Sequence, residues 1–81
     1  MKVRVKMFAV LRERGGISEL DLELPEGATV AAAMEETGRR IGAIAGLLPR
    51  AAAAVNLFYV KPTSLLRDGD ELALIPPVSG G

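Results

Sequence analysis

The sequence predicts an α+β fold: a mixed sheet of about five strands with one main helix packed on one face. Three observations predict it. Apolar and charged residues alternate over Val3–Met7 and again over Leu20–Leu24, the period of two of a half-buried strand. From Val30 the apolar spacing becomes helical. A last apolar run, Glu71-Leu72-Ala73-Leu74-Ile75, stands just before Pro76-Pro77.

Taken in order, Val3, Val5 and Met7 alternate with Lys2, Arg4 and Lys6, and Leu20, Leu22 and Leu24 with Glu19, Asp21 and Glu23. These strands are expected to pair antiparallel, with Arg12-Glu13-Arg14-Gly15-Gly16 as a turn-rich link. Their outward rows are basic on one strand and acidic on the other, a solvated face. Opposite charges across such a pair contribute about 0.2–1 kcal/mol each, enough to help fix register.

Pro25-Glu26-Gly27 ends the second strand, and Thr29 suits an N-cap. Val30, Ala33, Met34, Thr37 and Ile41 form one weakly apolar helical face. Glu35–Arg39 and Glu36–Arg40 are spaced i,i+4 in the favoured order. A helix over about Val30–Arg40 is expected, with Gly38 and Gly42 marking its end or a bend. Ile41–Leu48 reads as a second short helical stretch that Pro49 closes. Gly38, Gly42 and Gly46 repeat G-x-x-x-G, but Arg39, Arg40, Pro49 and Arg50 interrupt it. Close packing of a short helix explains it better than a membrane dimer.

Ala52–Asn56 reads as a third strand, with a continuation near Phe58-Tyr59-Val60. Lys61–Ser64 is a loop and Leu65-Leu66 an anchor returning to the core. Arg67-Asp68-Gly69-Asp70 is a turn in which Gly69 supplies a positive φ. Residues 1–75 are thus one domain, and 76–81 an extended tail. With first and last strands side by side in the middle of the sheet and the helix across one face, this order resembles the ubiquitin-like β-grasp. The strand order is an inference by analogy.

Composition removes several function classes. Lys+Arg and Asp+Glu number 10 each, so the formal net charge is zero, which argues against nucleic-acid binding. The N-terminus lacks the continuous apolar core of a signal peptide, and no stretch reaches the roughly 18 apolar residues of a membrane span. The absence of cysteine fits a reducing cytoplasm, and by elimination the chain reads as soluble and cytoplasmic. Without His or Cys, a nucleophile–histidine pair and a thiolate or imidazole metal site are impossible. Asp68, Asp70 and Glu71 lack the spacing of a calcium loop and fit turn chemistry. No phosphate-binding or dinucleotide fingerprint occurs. The expectation is no metal, no cofactor bound by this chain alone, and no catalysis by its side chains.

What remains is the ending, Pro76-Pro77-Val78-Ser79-Gly80-Gly81. Glycine has no Cβ, so Gly80 and Gly81 suit a channel that excludes other residues. Fully extended, this tail reaches up to about 20 Å, and Pro76-Pro77 stiffens its base. A terminal carboxylate becomes an acyl donor once adenylated by ATP. Sulfide or persulfide then displaces AMP and leaves a thiocarboxylate, a deliverable sulfur nucleophile.

Phe8-Ala9-Val10-Leu11-Arg12-Glu13, Ala53-Ala54-Val55-Asn56, Leu66-Arg67-Asp68-Gly69-Asp70-Glu71 and Pro76-Pro77-Val78-Ser79-Gly80-Gly81 span the chain. In that order they resemble the small subunits of molybdopterin synthase, ubiquitin-like sulfur carriers related to the thiamine-biosynthesis carrier. Leu57-Phe58 departs from the polar turn usual there. The resemblance implies that an E1-like enzyme adenylates Gly81 with ATP and a sulfur donor forms the thiocarboxylate. The tail then enters the synthase large subunit and gives sulfur to cyclic pyranopterin monophosphate, so this subunit donates sulfur without being the catalyst. A carrier for thiamine or tRNA thiolation, a ubiquitin-like tag on protein lysines and a plain binding module are the alternatives.

One surface expectation completes the reading. Val3, Val5 and Met7 point inward, so Phe8 has outward parity; if Leu72 and Leu74 point inward, Ile75 also faces out. With first and last strands parallel, Phe8 and Ile75 would lie at the end where the tail leaves. Together with Tyr59 they would form an apolar patch for a partner protein, alongside tail residues Pro76, Pro77, Val78 and Ser79.

Overall fold

The computed structural model describes residues 1–77. Its elements are β1 (Lys2–Met7), α1 (Ala9–Gly15), β2 (Glu19–Glu23), α2 (Val30–Arg40), β3 (Ala52–Val55), β4 (Phe58–Val60) and β5 (Glu71–Ile75). The sheet runs in the order β2-β1-β5-β3-β4. β1 and β5 are parallel and the other pairs antiparallel. This is the ubiquitin-like β-grasp, with first and last strands adjacent in the interior of the sheet.

The period-two reading of β1 and β2 holds residue by residue. Lys2, Arg4 and Lys6 face Glu23, Asp21 and Glu19. Arg4 Nε donates to Asp21 Oδ1 at 3.2 Å, and that bond, more than the charge itself, raises the guanidinium pKa. Lys6 Nζ lies 3.9 Å from Glu19 and 3.4 Å from Glu71 on β5. On the other face Val3, Val5, Met7, Leu22, Leu72 and Leu74 are buried in one core with Val30, Ala33, Ile44 and Leu48. Each fully buried aliphatic side chain of this kind is worth about 1.5–3 kcal/mol.

α2 begins where the cap predicts: Thr29 Oγ1 accepts from the Ala32 N–H at 3.2 Å. Val30, Ala33 and Thr37 are its buried stripe. Thr37 fits there because its hydroxyl donates to the Ala33 carbonyl at 2.8 Å. Gly38 lies inside α2 and does not end it. A Cβ built there would stand 3.2 Å from Leu48 Cδ1 and 3.5 Å from Ala45, so its bareness admits the following segment.

Several local readings need correction. The link Arg12–Gly16 is mostly helix: Ala9–Gly15 form α1. The Phe8 carbonyl accepts from Leu11 and Arg12, and Gly16, at φ 77°, sends its N–H back to the Arg12 carbonyl. Leu11 is fully buried beneath this helix. The main helix therefore has a smaller companion. The second short helical stretch expected over Ile41–Leu48 is a 3₁₀ turn at Gly42–Ile44, and Pro49 does not close it but lies inside a further 3₁₀ turn, Leu48–Arg50. Asn56 belongs to a turn, β3 ending at Val55. Arg39 bonds Glu36, three residues back, in place of Glu35, and Glu36 also holds Arg40. Of the Leu65-Leu66 anchor only Leu66 is buried.

Candidate functional site

The site expected from sequence is the base of the tail and the sheet face around it. Met7 pairs with Leu74 across β1 and β5, and both are buried against the core. One residue further on, Phe8 and Ile75 both turn to the opposite, helix-free face. Phe8 is the extended N-cap of α1 and is 43% exposed. Ile75 and Pro76 are partly exposed and Pro77 is exposed. Ala9 takes a left-handed φ of 49° directly after Phe8, a strain of about 1–2 kcal/mol for a residue with a Cβ. That sharp change of direction starts α1 while leaving Phe8 on the outer face.

The outer face divides into two halves. On β1 and β2 it carries the ion-paired rows already described. On the other side Ile75 pairs with Ala52, and Ala73 with Ala54, which pairs in turn with Tyr59. Phe8, Ile75, Ala52, Ala73, Ala54 and Tyr59 thus share one surface: a shallow alanine floor with larger side chains at its ends. Tyr59 is 74% exposed. It stands two strands across from Ile75 and two residues further from the tail end, so it rims this floor and does not flank the tail base. The alanines were not singled out from sequence; the run Ala51–Ala54 at strand spacing was their signal. Val78, Ser79, Gly80 and Gly81 lie outside the described residues.

At the far end of the sheet, Asp68 Oδ1 accepts from the Lys2 N–H at 2.7 Å. Asp70 accepts from the Arg67 N–H at 2.8 Å and from Asn56 Nδ2 at 3.1 Å. These carboxylates serve the turn, and Gly69 takes the expected positive φ of 87°. Among the described residues no three His, Cys, Asp or Glu side chains cluster in a way that could hold a metal ion. On the helix side a cleft of about 450 Å³, lined by Met34, Gly38, Leu48 and Pro62 among others, is largely apolar. No helix among the described residues is long and apolar enough to cross a membrane.

The family model described as "ThiS family" matches residues 5–81. The molybdopterin synthase sulfur carrier subunit of Chlamydomonas reinhardtii is 36% identical over 83 residues, covering all of both chains. Among solved structures, SAMP1 of Haloferax volcanii, a small archaeal modifier protein, superposes with a TM-score of 0.90 at 27% identity over the full length of both chains. A putative molybdopterin converting factor subunit 1 of Pyrococcus furiosus gives 0.86 at 36% identity, covering 96% of this chain and 99% of that one. A chain of the BexX/CysO complex of Amycolatopsis orientalis gives 0.74 at 26%, covering 98% and 99%.

Proposed function

The chain belongs to the ThiS family, and from that premise we propose that it is the sulfur-carrier subunit of a molybdopterin synthase, acting in molybdenum cofactor biosynthesis. The observation that carries this reading is the match to a sulfur carrier subunit over the whole chain, Gly-Gly ending included. The tail base supports it, since β5 delivers Pro76 beside the apolar rim of Phe8 and Ile75.

In this reading the Gly81 carboxylate attacks the α-phosphate of ATP on an E1-like enzyme and releases pyrophosphate. The resulting acyl adenylate is a mixed anhydride, and sulfide displaces AMP from it. If a persulfide attacks instead, a thiol then cleaves the S–S bond. Either route leaves a thiocarboxylate on Gly81. The tail enters the synthase large subunit, where the thiocarboxylate gives its sulfur to cyclic pyranopterin monophosphate. ATP and substrate bind on the partners, and the cycle runs in the cytoplasm. The role of this chain is presentation: a rigid sheet, an apolar outer surface to dock on, and a narrow end. That a chain of the same fold was solved as a complex supports docking of this kind.

The test is intact-mass spectrometry after incubation with the activating enzyme, ATP and a sulfur source. The expected result is a mass gain equal to replacing one oxygen by sulfur, located on Gly81. Cofactor synthesis that survives deletion of Gly81 would sink the reading. A second reading, a protein modifier, is favoured by the similarity to SAMP1. It predicts isopeptide bonds from Gly81 to lysines of other proteins, which peptide mapping of conjugates detects.

A further inference from the structure

We propose that β4 is a self-pairing edge: two copies of this chain join β4 to β4 antiparallel, centred on Tyr59, into one continuous sheet. The inference does not rest on the sulfur-carrier reading.

The two edges of the sheet are built differently. The β2 edge carries Glu19, Asp21 and Glu23 in one outward row. A second copy laid against it would bring carboxylate rows together, a common protection of strand edges. The β4 edge has no such protection. From Ala51 to Val60 the chain holds no charged residue, and β4 holds no proline. The formal net charge of the whole chain is zero, so nothing repels a second copy at long range.

The backbone is also set for pairing. Asn56 and Leu57 have φ of 49° and 76°, the two positive values of a type I′ hairpin turn. The bond closing such a turn runs from the Phe58 N–H to the Val55 carbonyl, and Val55 and Phe58 are paired. Hydrogen-bonding directions alternate along a strand, so Tyr59 turns its N–H and carbonyl to the open edge. Two copies related by a two-fold axis through Tyr59 then exchange both bonds there.

The side chains suit that register. Phe58 of each copy falls opposite Val60 of the other, an aromatic and β-branched pair of the stabilising kind. The exposure of Phe58, 76%, is what such pairing would remove. Leu57, 91% exposed at the turn, falls opposite Lys61 and against its aliphatic stem, so no like charges meet. Pro62 ends the ladder because it lacks an N–H. The Tyr59 side chains meet on the outer face and join the two alanine floors. A three-residue strand gives a small interface, so the association is weak and reversible.

Sedimentation velocity of the full chain, from about 10 µM to about 1 mM, tests this over the range where small interfaces act. A monomer–dimer equilibrium is expected, with amide exchange at Tyr59 slowing as concentration rises. Tyr59→Pro removes the edge-facing donor, a substitution that edge strands tolerate, and Phe58→Lys sets a charge opposite Val60. Each should weaken dimerisation by at least about tenfold, while Asp21→Lys on the other edge leaves it unchanged. Monomers throughout, variants that associate like wild type, or exchange at Tyr59 independent of concentration would each overturn the proposal. So would an edge that pairs only with a different protein.

Discussion

Asn56 and Asp70 hold together the two turns at the end of the sheet away from the tail. Asn56 Nδ2 donates to Asp70 Oδ1 at 3.1 Å. Its Oδ1 accepts from the Glu71 N–H, also at 3.1 Å, and its own N–H bonds the Glu71 carbonyl at 3.0 Å. One side chain thus ties the β3–β4 turn to the start of β5. It does so from a left-handed φ of 49°, a conformation Asn tolerates better than most residues.

Asn56→Ala should therefore cost about 1–3 kcal/mol, from two lost side-chain bonds and a harder backbone angle. Asn56→Gly keeps the angle accessible and loses only the bonds, so it should cost less. Urea unfolding of the three proteins reads the two contributions separately. Equal losses would mean that the left-handed angle is immaterial here.

The same residues show how far sequence carries. The rows Lys2-Arg4-Lys6 and Glu19-Asp21-Glu23 gave strand, pairing and exposed face together, because a period of two admits one choice of face once the other is apolar; which residues pair came from the structure. Thr29 and Val30–Arg40 gave the main helix with its cap. α1 was hidden because Gly15 and Gly16 read as turn. The signal was Arg12 and Arg14 ahead of a glycine in left-handed geometry, which is how a helix ends. The outer site was half legible. Phe8 and Ile75 followed from parity, but the position of Tyr59 depends on β3 and β4 lying beyond β5, which no local pattern contains.

Gly16 caps the C-terminal end of α1. Its φ is 77° and nothing lies within 4 Å of a Cβ built there, so space is not the obstacle to substitution. Gly16→Ala should still cost about 1–2 kcal/mol through the backbone alone, measured as a lowered urea midpoint with an unchanged slope. No loss would show that α1 ends without needing the left-handed angle.

Gly38 presents the opposite balance. Alanine in place of a helical glycine gains about 1 kcal/mol of helix propensity. Against this, the new Cβ sits 3.2 Å from Leu48 Cδ1, the flexible end of a side chain that can shift slightly. Gly38→Ala should fall within about 1 kcal/mol of wild type, whereas Gly38→Val overpacks the same contact and should lose about 1–3 kcal/mol. Thermal unfolding ranks the pair, and a stabilising valine would mean the contact is looser than its distances suggest.

Gly80 lies outside the described residues, so its prediction rests on chemistry alone. If Gly81 reacts as proposed, a Cβ one residue before its carboxylate should hinder entry into a narrow channel. Gly80→Ala is expected to slow single-turnover sulfur transfer with an unchanged unfolding curve. A silent substitution would mean that the channel tolerates a methyl group there.

The parity argument at the end of β1 and β5 gives the most direct test of the docking surface. Leu74 and Ile75 are neighbours in sequence but face opposite sides, Leu74 fully buried and Ile75 only partly. Leu74→Ala should therefore cost about 2–5 kcal/mol of stability. Phe8→Ala and Ile75→Ser remove side chains from the outer face and should leave thermal stability nearly unchanged. If this face docks the large subunit beside the entering tail, each should weaken the complex by about 1–3 kcal/mol, as expected for central anchors. Calorimetric titration of the large subunit, paired with melting curves, separates the two roles. A large stability loss in Phe8→Ala or Ile75→Ser, with binding intact once refolded, would assign these residues to the core and remove the docking surface.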